Sequence, residues 1–437
     1  MSAEDRKFTL LGLSKTVHDL KDREGASTGD SNLQKIVDET RAYLIAYSGD
    51  NELVRRRHHE VLNRAVLGFT EERRLLMAMI QDYLLRRRLS QQHSPDGRYT
   101  SLAEAIFAEV IGLNVLELVV KNREALEEVQ VVGTRIYEVR GGVSMPSSYS
   151  FRSIQEVERI QQNLVLFNQD NLHIRKRWAE VRLSDGARVT MTGFGFTAEP
   201  TLTIRFYTRE LRSLEMLCEA DNRTLDAEGV HLLRELVHRC LNLVIIGPTN
   251  SGKTQLLKSL VAEMPDHERL VTMETRFELF LERDFPQKNI VQYEINEDDP
   301  LHDGHQAFKL ALRQSPKRII LAEIRDEDAN LYVKACTRGH SGSMTTVHAS
   351  QLEDVPDTIA EMCMMDNRPM NHDRLVQRIT ERVTQVGIEM ALIQGHRRVV
   401  RIGQFHYDQG TIDVRTLYAY KPALDAWAIQ SPLWTTA

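Results

Sequence analysis

The stretch LNLVIIGPTNSGKTQLLKSLV, residues 241–261, constrains this chain more than any other. The unbroken apolar run Leu243 to Ile246 reads as a strand buried on both faces, as in a parallel sheet. Directly after it, GPTNSGKT fits the pattern GxxxxGK[ST]. Glycines at both ends of such a loop let successive backbone N–H groups converge on phosphate oxygens. The spacing after Lys253 predicts a helix, whose positive end adds to that field. The candidate nucleotide contacts are therefore Gly247, Pro248, Thr249, Asn250, Ser251, Gly252, Lys253, Thr254 and Gln255. Lys253 is expected to reach the β and γ phosphates of ATP, and the Thr254 hydroxyl to hold Mg2+.

The surrounding chain repeats this alternation. RLVTMET, NIVQYEI and RIILAEI are strand-like runs, the last preceded by a helix from Gly304 to Gln314. Apolar strands alternating with helices predict an α/β fold with a mostly parallel sheet and a ligand crevice beyond the strands' carboxyl ends. At 437 residues the chain exceeds a single core of roughly 250–300 residues. Residues 1–31 end in GASTGDS and read as a flexible tail, and 32–98 as a helical region. HSPDGRYT, His93 to Thr100, reads as a linker. Residues 99–208 read as a smaller mixed α/β domain, with strands near Val129 to Val132 and Arg135 to Val139 and a helix from about Ser153 to Phe167. A hairpin turns at Ser184-Asp185-Gly186. The apolar stretch Ile106 to Val120 carries Glu109, Asn114 and Glu117, and so reads as one amphipathic helix rather than a membrane span. The P-loop sheet fills 209–437.

Three further elements carry chemistry. RIILAEIRD delivers Glu323 to the end of an apolar strand, expected beside the P-loop strand, where a carboxylate can orient an attacking water or hold Mg2+ through water. Its bland reading is a surface pair with Arg325 or Arg318. TMETRFEL places Glu274 and Glu278 after another strand. GHSGSMTTVHAS places His348 at a strand end; metal binding by His340 with His348 lacks an acidic or cysteine ligand at suitable spacing. Two arginine clusters, Arg55-Arg56-Arg57-His58-His59 and Arg86-Arg87-Arg88, read as solvated helix faces or last-turn cations, or else as a docking face for an acidic partner or lipid headgroups. A net charge of −6 argues against coating a nucleic-acid backbone. The start MSAEDRKFTL has no apolar signal-peptide core, and the widely spaced cysteines suit a reducing cytoplasm.

Taken in order, these elements resemble the ATPase superfamily of type II and type IV secretion systems and type IV pili, most of all the tight-adherence pilus and conjugation-type members. The resemblance spans roughly residues 100 to 400. It rests on AEVIGLNVLELVV, VVGTRIYEVRGG, RLSDGARV and TLTIRF, on VTMETRFEL as an acidic box, on ILAEIRD as a Walker B element and on GHSGSMTTVHAS as a histidine box. It implies a RecA-like sheet domain, Glu323, Glu274 and His348 as catalytic residues, and Arg188 and Arg205 as phosphate-facing residues of the preceding domain. It also implies a homo-hexamer that hydrolyses ATP and works with an inner-membrane platform protein at the cytoplasmic face, with no direct nucleic-acid contact. Conjugative DNA transfer and a non-hydrolysing scaffold are the rival readings. The chain departs from the family at Thr275, where an Asp is usual, and at Gln255, where a Thr is usual.

Overall fold

The computed structural model describes residues 28–46, 52–89, 97–165, 172, 176–207, 212–219, 222–296, 299–365 and 370–433. Most of the tail and half of the linker expected from the sequence lie outside them; the first described helix already begins at Thr28. The chain divides into two compact units, residues 1–140 with 144–206 and residues 207–437 with 141–143.

The first unit opens with helices Thr28–Ala46, Glu52–Val66 and Thr70–Arg86. Leu33, Val37, Leu44, Leu76, Ile80 and Leu84 form their buried stripe, while Leu75, also at helical spacing, is exposed. The amphipathic helix expected over Ile106 to Val120 is two helices, Leu102–Val110 and Leu116–Lys121. The break falls at Gly112 to Asn114, where Asn114 takes a left-handed φ of 53°, a conformation asparagine tolerates better than most residues. Strands follow: β1 (Leu126–Val132), β2 (Arg135–Arg140), β3 (Val143–Ser150), β4 (Trp178–Arg182), β5 (Arg188–Thr192) and β6 (Thr201–Arg205), with the helix Ile154–Val165 between β3 and β4. They form one sheet in the order β3-β2-β1-β6-β5-β4. β5 shows every second residue buried, as a sheet with one covered face requires. Val129, Val189 and Ile204 join Leu76, Ile80 and Ile160 in a single core, so helices and sheet of this unit are packed together.

The second unit contains β7 (Leu243–Ile246), β8 (Leu270–Glu274), β9 (Ile290–Glu294), β10 (Arg318–Leu321), β11 (Met344–Val347), β12 (Val386–Ile393), β13 (His396–Asp408), β14 (Thr411–Lys421) and β15 (Ala426–Ile429). The sheet order is β15-β14-β13-β12-β7-β11-β10-β8-β9. From β12 to β9 every neighbouring pair is parallel. Beyond β12 the sheet continues as an antiparallel meander through β13, β14 and β15, which the helix–strand alternation of the sequence does not announce. β7, β10 and β11 are buried at every position, because helices such as Ala227–His238 and Ala329–Thr337 supply covering layers. β11 stands between β7 and β10, so the strand leading to Glu323 is not the neighbour of the P-loop strand that the sequence suggested. A four-residue run such as Met344–Val347, flanked by glycines and hydroxyls, gives no sign of where it inserts.

Candidate functional site

β7 runs straight into the loop. Gly247 has φ 144°, and a Cβ there would overlap the carbonyl oxygen of Met390 on β12. Only glycine fits that approach. Asn250, at φ 64°, and Gly252, at φ 96°, carry the chain through left-handed conformations into the helix Lys253–Ala262. Lys253 lies folded over the loop: its Nζ donates to the carbonyls of Gly247 at 2.7 Å and Pro248 at 3.0 Å. Ser251 is buried and its Oγ has no hydrogen-bond partner; the same holds for Nε2 of Gln255 in the first helical turn. Buried polar atoms left unpaired cost stability. Their position beside a helix N-terminus fits a ligand that brings its own acceptor oxygens. The Thr254 hydroxyl, in the first turn, is of the chemistry that Mg2+ takes.

The carboxylates come from the neighbouring strands. Past the end of β10, the main chain is clamped on both sides: Ala322 N donates to Met273 O of β8 at 3.1 Å and Ile324 N to Thr346 O of β11 at 3.1 Å. That fixes Glu323 between them. Its Oε2 accepts from Arg325 Nη2 at 2.6 Å. His348, just past the end of β11 and exposed, brings Nε2 to 2.9 Å from Oε1. That is ion-pair distance for a protonated imidazole, but the approach lies off the direction of a hydrogen bond. Glu323 thus pairs with Arg325, whereas Arg318 is committed elsewhere: it is buried, donating to Glu268 Oε2 at 2.6 Å and Val237 O at 2.9 Å.

Glu274 ends β8 and is only 2% exposed. Its Oε2 accepts from the backbone N–H groups of Glu278 and Leu279, both at 2.9 Å, and Gln292 Nε2 donates to Oε1 at 3.1 Å. Burial outweighs those donors and pushes its carboxyl up to about 7. Glu278 itself accepts from the Tyr207 hydroxyl at 2.7 Å. His340 does not join this group; its Nδ1 lies 3.0 Å from Pro316 O, at the amino end of β10.

The structure therefore brings the loop 247–254, His348, Glu323 and Glu274 to the carboxyl ends of four successive strands, β7, β11, β10 and β8. Arg188 and Arg205 belong to the first unit. There they are direct partners on β5 and β6, with Arg182 opposite Arg188 and Glu128 opposite Arg205. Arg188 Nη2 lies 3.3 Å from Glu180 Oε1. Reading the residues missed one that shapes the loop and one that ties its strand to a neighbour. Arg397, on β13, donates to Asn250 O at 2.9 Å and lies against Gly252. Asn242 accepts from the N–H groups of Gly342 and Ser343 at 3.0 and 3.1 Å, tying β7 to β11. Asn242 precedes the apolar run directly and was open to being read as its polar cap. Arg397 had no such signal, because nothing local links it to a loop about 150 residues earlier.

Comparison with known proteins follows the same segment. The family described as Type II/IV secretion system protein matches residues 150–401. Among curated relatives, the type IV secretion system protein VirB11 of Bartonella quintana (strain Toulouse) is 40% identical over 124 residues, covering 28% of this chain and 34% of that protein. The type IV secretion system protein PtlH of Bordetella pertussis (strain Tohama I) is 33% identical over 172 residues, 38% of this chain and 51% of that protein. The chain spans between a third and a half of the length of these relatives. Among solved structures, the VirB11 ATPase of the Brucella suis type IV secretion system matches at 21% identity and a TM-score of 0.36, over 68% of this chain and 96% of that one. The Legionella pneumophila ATPase DotB matches at 19% identity and a TM-score of 0.48, over 68% and 80%.

Proposed function

The chain belongs to the type II/IV secretion system protein family, and from that premise we propose that it is an ATP hydrolase working as a hexameric motor at the cytoplasmic face of a pilus or secretion apparatus. The observation that carries the reading is the convergence of the loop, His348, Glu323 and Glu274 on adjacent ends of parallel strands. A sheet with one such loop at its centre and carboxylates on the next strand ends suits a RecA-like domain.

In this reading the loop N–H groups hold phosphate oxygens, and Lys253 exchanges the carbonyls of Gly247 and Pro248 for the β and γ phosphates. Bound Mg2+, held by Thr254 and through water by Glu323, would neutralise charge developing on the phosphates. Glu323 orients the attacking water and accepts its proton. To do so it gives up Arg325, while His348 steadies the other oxygen. Glu274 is a positioning residue: it spends one oxygen on the amides of 278 and 279 and so sets the loop that follows β8. Arg188 and Arg205 supply charge to the phosphates in the assembled hexamer. Same-sign charges directly across two strands repel, and a phosphate between them would relieve that cost. Family membership supports an inner-membrane platform protein as the partner.

Phosphate release from Mg2+–ATP tests the proposal, with Lys253→Ala as the control that loses nucleotide affinity. A folded chain that binds ATP and releases no phosphate is the non-hydrolysing scaffold. A rate that rises on adding DNA points to the conjugative DNA-transfer motor. Mass measurement with a non-hydrolysable ATP analogue should show six subunits; a monomer under those conditions counts against the motor.

A further inference from the structure

The two arginine clusters, about 30 residues apart in sequence, meet in the fold. Helices Glu52–Val66 and Thr70–Arg86 are joined by three residues, with Gly68 at φ 95° in the turn. Packed back to back, they place the start of the first beside the end of the second. Contacts with the helix Thr28–Ala46 mark that shared end. His58 lies 2.7 Å from Leu44 O, Arg87 Nη2 donates to Glu39 at 2.8 Å, and Tyr83 stacks on Tyr43 at 4.6 Å between ring centres. Arg55, Arg56, Arg57, Arg86, Arg87 and Arg88 thus crowd one end of the helical layer, and all six are exposed.

Apolar side chains are exposed among them: Leu53 is 74% exposed, Val54 50% and Leu85 63%. Residues 53–57 are exposed without interruption, so this first turn and a half presents all its sides to solvent. Along the helix axis Leu53 and Val54 come first, and the arginines follow at about 1.5 Å per residue. Segments 52–60 and 82–88 hold only Glu52, Glu60 and Asp82 as acids. Asp82 pairs with Arg86, and Glu39 reaches Arg87 from the helix Thr28–Ala46. The end is cationic within a chain of net charge −6.

We propose that this end of the helical layer binds the surface of an anionic lipid bilayer. Leu53 and Val54 enter the boundary between headgroups and acyl chains, and the arginines lie at the level of the phosphates, with Leu85 beside them. On the helix Glu52–Val66 the axial order, apolar tip before cationic turn, matches that depth profile; on Thr70–Arg86 Leu85 lies just inside Arg86 and flanks the cationic ring. An acidic protein surface would satisfy the charges and leave three apolar side chains in water. The site lies in the first unit, away from the loop 247–254 in sequence, and its action needs no ATP turnover. It would place the motor against the membrane directly, beyond whatever a partner supplies.

The test is co-sedimentation of the full chain with vesicles of mixed phosphatidylglycerol and phosphatidylcholine, and with vesicles of phosphatidylcholine alone. Binding is expected only to the first and should weaken with salt. The variant R55Q/R56Q/R57Q should bind on the order of 100-fold less, at about fivefold per arginine near such a surface. L53S/V54S should bind less while melting at the wild-type temperature. R86Q/R88Q is the second charge variant should the first fail to fold. Equal binding to both vesicles, or wild-type binding by a folded charge variant, overturns the proposal. Capture of soluble polyglutamate without capture of either vesicle also overturns it, in favour of an acidic protein.

Discussion

The two sheets place their polar residues in different ways. In the nine-stranded sheet, β7, β10 and β11 are buried from end to end, so no face is left for chemistry and polar residues gather where the strands stop. In the six-stranded sheet, β4, β5 and β6 bury alternate residues, and Arg182, Arg188 and Arg205 line up across the other face. A strand end can aim one side chain into a crevice, with its neighbours fixed by the backbone ladder. A strand face offers a row of charges with more room to move. The proposed division of labour, bond-breaking at the ends and phosphate charge from the face, follows from that difference and can be broken in four places.

The largest expected effect is at a strand end. Glu323→Gln keeps size and one acceptor but removes charge and basicity. General base catalysis is typically worth about 10²–10⁴-fold, so single-turnover hydrolysis should fall by that order while ATP binding survives. A rate within about threefold of wild type, far below that effect, would mean that Glu323 serves only its pair with Arg325.

Glu274→Gln comes next and is read through pH. Its carboxyl is raised from 4.5 to about 7 by burial. Below 4.5 folded and unfolded chains are both protonated there, and nothing is lost. Between 4.5 and about 7 the unfolded chain gives up its proton while the folded one keeps it, so stability falls as pH rises through that window and then levels. The wild type should therefore lose about 3 kcal/mol relative to Glu274→Gln across it. Denaturant titrations at several pH values measure the difference. Parallel pH profiles of the two proteins would show that Glu274 stays ionised.

Arg205→Ala tests the strand face. A charge-assisted hydrogen bond to phosphate is worth roughly 1.5–3 kcal/mol, so turnover should drop about 10–100-fold. Folding stability should hold, because Arg188 opposite loses a repulsive neighbour. Unchanged turnover with lower stability would reduce Arg205 to a structural residue paired across the sheet with Glu128.

Local order made much of this legible. Leu243 to Ile246, the loop and its helix are contiguous, and apolar run, glycine spacing and helical period all agree there. Glu323 and Glu274 stood out because each closes an apolar run. What escaped depends on residues far apart in sequence. The insertion of Met344–Val347 between β7 and β10 follows from how crossovers pack, not from those four residues. Arg397 meets the loop only because β12 and β13 pair beside β7. Each arginine cluster reads as a solvated face or a docking face for an acidic partner or lipid headgroups, and nothing local shows that the helical hairpin brings the two to one end. The break at Asn114 hid inside an apolar pattern that continues on either side of it.

The smallest effect separates the two sheets most finely. Arg182 faces Arg188 directly across β4 and β5, and Arg188 faces Arg205 across β5 and β6. Two like charges in register cost a sheet roughly 0.2–1 kcal/mol relative to neutral pairs. Arg182 is exposed at the end of the edge strand, so salt screens part of that cost. Arg182→Thr removes one repulsion and places a β-branched residue on the strand, which suits a pleated, half-exposed position. Stability should rise by about 0.5 kcal/mol at low salt, and the gain should shrink as salt is added. Turnover should stay near wild type, since Arg188 and Arg205 remain. Urea midpoints at two salt concentrations decide it. A loss of stability at both salts would mean that the contacts of Arg182 outweigh the repulsion, and the row of arginines would then be held by its own pairs rather than waiting on an anion.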